Sequence, residues 1–80
     1  MTPFGTYLEY LLRSHRMQQK ALADLMGINP CYVSTLESGR KGSPSTAVLK
    51  RLIKSLNLSR GEQERLWLSA ELSEITFRLP

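Results

Sequence analysis

Apolar residues recur along this 80-residue chain in blocks with the period of a helix. Phe4, Leu8, Leu11 and Leu12 share one helical face, and Thr2-Pro3 before them supplies a cap and a first-turn proline, which predicts a first helix over 3–15. Ala21, Leu22, Leu25 and Met26 predict a second helix over 18–26, closed by Gly27, where a left-handed backbone costs least. Asn29-Pro30 restarts the pattern with a cap and a proline, Val33 and Leu36 form a short apolar face, and Gly39 ends this third helix. Ser43-Pro44 repeats the signal ahead of Val48, Leu49, Leu52, Ile53 and Leu56, a fourth helix over 44–56. Ser59 with Glu62 three residues on reads as a capping box for a fifth helix over about 60–72, with Leu66, Ala70 and Trp67 turned inward. Beyond it Ile75, Phe77 and Leu79 alternate with Thr76 and Arg78, the period of a strand, and Pro80 closes the stretch. The pattern therefore predicts an all-α domain of five helices over 1–72 and a short extended tail over 73–80.

The second and third blocks carry the most information. Ala23, Gly27, Val33 and Leu36 stand at the offsets that let two short helices cross closely at a tight turn and plug the second onto the first. That is the layout of a helix-turn-helix, which sets its second helix in the major groove of DNA. A generic helical hairpin has no need of a small residue, a turn glycine and two plugs at this spacing.

Charge fits that reading. The net charge is +4, unevenly placed. Residues 1–60 carry nine Lys/Arg against Glu9, Asp24 and Glu37, whereas residues 61–80 carry Arg65 and Arg78 against four glutamates. A basic body with a mildly acidic end suits a domain that meets a polyanion with one part of its surface. Lys50, Arg51 and Lys54 read as the solvated face of the fourth helix or as a second DNA-contacting patch. Several classes fall away on composition. A single cysteine makes no internal disulfide, and with a single histidine it makes no structural zinc site. No apolar run reaches a membrane span, and the opening MTPFGTYLEY lacks the basic and apolar segments of a secretory signal. No paired carboxylates, phosphate loop or nucleophile–base pair points to an enzyme, and no cofactor or metal is expected. His15 reads as a helix-end residue, and Cys31 as a small groove-facing side chain.

The run Met17 to Pro44, MQQKALADLMGINPCYVSTLESGRKGSP, resembles without a gap the phage repressor/Cro class of bacterial helix-turn-helix regulators, often called Xre-type. The likeness rests on Gln18-Gln19, Ala23, Gly27 and the run Leu36-Glu37-Ser38-Gly39-Arg40, and the five-helix count extends it to about residue 72. Ser38 stands where asparagine is frequent in the family, and Cys31 is an unusual occupant of a base-facing site. The resemblance implies a compact lambda-repressor-like domain, a sequence-specific regulator of transcription that represses as a homodimer on a palindromic double-stranded operator, at work in the cytoplasm of a bacterial or phage-infected cell. With Val33 and Leu36 buried, the groove-facing set becomes Asn29, Pro30, Cys31, Ser34 and Thr35. The expected phosphate set is Gln18, Gln19, Tyr32, Ser38, Arg40 and Lys41. The central residues of that face, Pro30, Cys31, Ser34 and Thr35, include no Arg, Asn or Gln for a bidentate contact, so direct readout is expected to be modest.

One recognition helix covers about half a turn of DNA, so a dimer is expected. Its interface is assigned to Leu66, Trp67, Leu72, Ile75, Phe77 and Leu79, with the 75–79 strand pairing to its two-fold mate. Two other functions compete: an antitoxin that binds its own operator and a toxin protein through the tail, and a helical adaptor without a DNA role.

Overall fold

The computed structural model describes residues 2–39 and 44–78, the last four by their backbone alone. Five helices follow one another: α1 (Pro3–Ser14), α2 (Gln19–Met26), α3 (Pro30–Ser38), α4 (Thr46–Leu56) and α5 (Arg60–Arg78). Each of the caps at Thr2, Asn29 and Ser45 accepts a bond from an otherwise orphaned backbone amide: Gly5 N at 3.1 Å, Cys31 N at 2.8 Å and Val48 N at 3.3 Å. The capping box at α5 is complete, with Ser59 N donating to Glu62 Oε1 at 3.0 Å and Glu62 N to Ser59 Oγ at 3.3 Å. His15 stands at the C-cap of α1 and shares a 2.9 Å hydrogen bond with Glu62 Oε2, which joins the end of α1 to the start of α5. These bonds hold the Glu62 carboxyl below its usual range, the Ser59 amide contributing most and His15 next.

Phe4, Leu8, Leu11, Leu22, Val33, Leu52 and Leu66 are buried at the centre of a single core. α1 packs against α5 and α3, and α2 packs against α3 and α4. The first contact is fixed by a buried polar tie. Phe4 N donates to Ser73 Oγ at 2.8 Å, and Ser73 Oγ donates to Ser69 O at 2.8 Å.

Three sequence expectations are corrected. α4 begins at Thr46 under the cap of Ser45, two residues later than the Ser43-Pro44 signal suggests; Ser43 lies outside the described residues. On α2 the inward face is Leu22, Ala23 and Met26, whereas Ala21 and Leu25 turn outward because α3 and α4 close over the other side. The expected strand over 75–79 is helical backbone to Arg78, and Leu79 and Pro80 lie outside the described residues. An isolated strand leaves its amides and carbonyls unpaired, while a helix satisfies them internally. Leu66, Ala70 and Ser73, spaced four and three apart, carry the helical register past residue 72.

Candidate nucleic-acid interface

α2 and α3 pack against each other across a short turn. Gly27 takes the left-handed conformation, φ 68°, and Gly39 repeats it at φ 76° where α3 ends. Ala23, Val33 and Leu36 are buried in the core, and α3 packs on both α2 and α1, so its remaining face is turned outward.

Asn29, Pro30, Cys31 and Ser34 are exposed on that face, with Thr35 half-buried beside them. Asn29 uses Oδ1 on the Cys31 amide, which leaves its Nδ2 as a donor. Thr35 Oγ1 donates to Cys31 O at 2.9 Å, and Ser38 Oγ donates to Thr35 O at 3.0 Å. Both hydroxyl protons are thus spent on the helix itself, and Thr35 offers lone pairs and a methyl group. Apart from the Asn29 amide and the Ser34 hydroxyl, which can donate, the face presents apolar and accepting atoms, suited to thymine methyls and to the amino groups of adenine and cytosine.

At the start of α2, Gln18 stands at the cap position with no side-chain bond to the helix, beside free first-turn amides that favour an anion. Gln19 Nε2 donates to Glu37 Oε2 at 2.6 Å and ties the first turn of α2 to the last turn of α3. This contact leaves only part of Gln19 for a phosphate, and the sequence reading missed it; a Gln and a Glu eighteen residues apart carry no local signal. Tyr32 is half-buried, packed against the core from the flank of α3. Arg40 and Lys41 lie outside the described residues. On α4, Lys50, Arg51 and Lys54 are exposed, and Arg51 Nη1 reaches back to Met26 O at 3.4 Å, across the end of α2.

Among the interface residues expected for a dimer, Leu66 is corrected: it is fully buried in the core and closed to a partner. Trp67 is half-buried against the core, while Leu72 is exposed. The side chains of Ile75 and Phe77, and all of Leu79, lie outside the described residues. Among the described residues no group of His, Cys, Asp and Glu could hold a metal ion, and no helix is long and apolar enough to cross a membrane.

Residues 8–63, which span α2, α3 and α4, match a family model described as helix-turn-helix. The chain belongs to that family, in its Xre/Cro-like class. It is also similar to an uncharacterized HTH-type transcriptional regulator, RghRB, of Bacillus subtilis (strain 168), with 36% identity over 52 residues. The match takes in 65% of this chain and 37% of that protein, so the chain spans little more than a third of its relative. No solved structure matches the chain significantly.

Proposed function

We propose that this protein is a sequence-specific, double-stranded DNA-binding regulator of transcription that represses by occupying a palindromic operator as a homodimer. The observation that carries the reading is the outward face of α3: Asn29, Pro30, Cys31 and Ser34 stand exposed on a helix whose other side is buried against α2 and α1. Asn29, Pro30, Cys31, Ser34 and Thr35 meet base edges. Gln18, Gln19, Tyr32, Arg40 and Lys41 hold the phosphates on either side, and Ser38 joins them by turning its hydroxyl proton away from Thr35 O. With apolar and accepting groups at the centre, affinity rests heavily on phosphate contacts and on DNA shape.

Membership of the helix-turn-helix family and the printed description of the Bacillus relative as a transcriptional regulator support this reading. Selection of bound sites from a random duplex library tests it. The expected result is a two-fold symmetric site with half-sites about one helical turn apart. Failure to enrich any duplex at low salt overturns it.

A further inference from the structure

The face that α4 turns to solvent is cationic, with no acidic residue to offset it. From Ser38 to Gly61 the chain holds Arg40, Lys41, Lys50, Arg51, Lys54 and Arg60 and no Asp or Glu. Lys50, Arg51 and Lys54 stand exposed on α4. The ion pairs among the described residues, Arg13–Glu9, His15–Glu62 and Arg60–Glu64, leave all three without a carboxylate. Beside them lies a hydrophobic side chain that the core does not cover. Four large hydrophobics are exposed among the described residues. Tyr10, Leu68 and Leu72 border one groove between α1 and α5, whereas Leu25 stands apart from them on α2, 57% exposed. α2 contributes Leu25 and Met26 to a hollow of about 420 Å³, and α4 contributes Arg51, Lys54 and Ser55. Its size admits a large apolar side chain. Asp24, exposed next to Leu25, is not among the residues that line it.

Charge and apolar surface together select the occupant. Arg51 Nη1 reaches Met26 O at 3.4 Å, which lays the guanidinium over the carbonyl end of α2 and leaves its other donors for a ligand. A guanidinium held in this way presents a fork that matches a carboxylate or a phosphate. The apolar half of the patch separates the two. A DNA backbone on Arg51 and Lys54 would leave Leu25 facing a charged, hydrated strand with nothing to cover it. A protein segment with acidic side chains around an aliphatic or aromatic one covers the leucine and the cations at once, apolar at the centre and charged at the rim. Position agrees. The phosphate contacts proposed for α2 gather at Gln18, before its first turn, while the hollow lies at its last turn. The two are about 11 Å apart along the helix axis, so a partner in the hollow does not displace a duplex from Gln18.

We propose that the α2–α4 face docks an acidic protein segment, which seats an apolar side chain against Leu25 and Met26 and sets carboxylates on Arg51 and Lys54. Selection from a display library of short random peptides on the immobilised full chain tests this. Enriched peptides should combine several Asp or Glu with a large apolar residue. Leu25→Ser and Lys54→Glu should each weaken the enriched peptides about tenfold. Both change exposed side chains, so helix content by circular dichroism should hold. Arg65→Glu makes the same charge change on the α1–α5 side and should weaken them less than about threefold. An equal loss in Arg65→Glu would mean attraction by net charge alone and overturns the docking site. Failure to enrich such peptides overturns it too, as does equal binding by Leu25→Ser. Duplex binding by Lys54→Glu should stay within about threefold of the parent chain. A loss as large as that of Arg40→Ala would assign the patch to DNA and sink the proposal. Selection of duplex sites by a chain that enriches no such peptide leaves the DNA-binding reading standing and removes this one.

Discussion

The α-carbon of Gly5 in α1 lies directly against the backbone of Glu37 in the last turn of α3, so close that a β-carbon at Gly5 would overlap the Glu37 carbonyl. Next to it, Thr2 touches Gly39, where a β-carbon would stand 2.9 Å from Thr2 Oγ1 and closer still to the methyl group. The N-terminus of α1 therefore helps to hold the far end of α3, together with the Gln19–Glu37 bond.

That contact makes Gly5→Ala costly. Backbone cannot rotate away as a side chain can, so α3 must shift, and a loss of about 1–3 kcal/mol is expected. Gly61→Ala is the matched comparison. A β-carbon there meets nothing within 4 Å, and the first turn of α5 gains about 0.5–1 kcal/mol of helix preference. Urea denaturation of the two variants checks both signs, and equal stabilities would refute the packing argument.

Ser73 terminates two buried bonds, accepting from Phe4 N and donating to Ser69 O. Ser73→Ala leaves the Phe4 amide without its acceptor in the core, at a cost of about 1–3 kcal/mol. Hydrogen exchange should show the Phe4 amide losing protection in step with the fall in stability. Retained protection would mean that the amide finds another partner.

Base and phosphate contacts should separate under mutation. Thr35→Ala removes a methyl and an acceptor from the groove face and should change the ranking of operator variants by about 1–3 kcal/mol at one position. Arg40→Ala should weaken binding to every duplex and lower the slope of log affinity against log salt by about one. Fluorescence anisotropy across a salt series distinguishes them; identical behaviour of the two variants would refute the division of roles.

The Glu62 carboxyl, bonded to the Ser59 amide and to His15, is held below its ordinary range in the folded protein. A depressed carboxyl contributes stability that is fully present above the unfolded-state value and is lost as pH falls through the folded one. Stability should therefore decline on acidification below the ordinary glutamate range, and Glu62→Gln should flatten that limb. Thermal melts between about pH 3 and pH 7 measure the difference. An unchanged acid limb in the variant would show that other carboxylates govern it.

Where the signals were local, the fold was legible in the chain. Thr2, Asn29 and Ser59 cap as their positions suggest, because a cap bond spans two or three residues. Ala23, Gly27, Val33 and Leu36 lie where the helix-turn-helix spacing puts them. Local signals misled where distant groups decided. Leu25 has helical spacing yet is 57% exposed, since the packing of α3 and α4 selects the Leu22–Met26 face instead. The alternation from Ile75 onward is too short to impose a strand on a helix anchored through Ser73 to α1. Neither the Gln19–Glu37 bond nor the Gly5–Glu37 contact could be read from spacing, because each joins groups far apart in the chain.

The sequence by itself determined five amphipathic helices, the caps at Thr2, Asn29 and Ser59 and the plug residues of the α2–α3 pair, since periodicity and capping act over a few neighbours. Only the tertiary structure decided that α5 runs on to Arg78 with a second, uncovered leucine stripe, and that α1 and Gln19 grip the end of α3. Those features depend on which helix faces close against each other, and that is settled by the burial of the whole core at once.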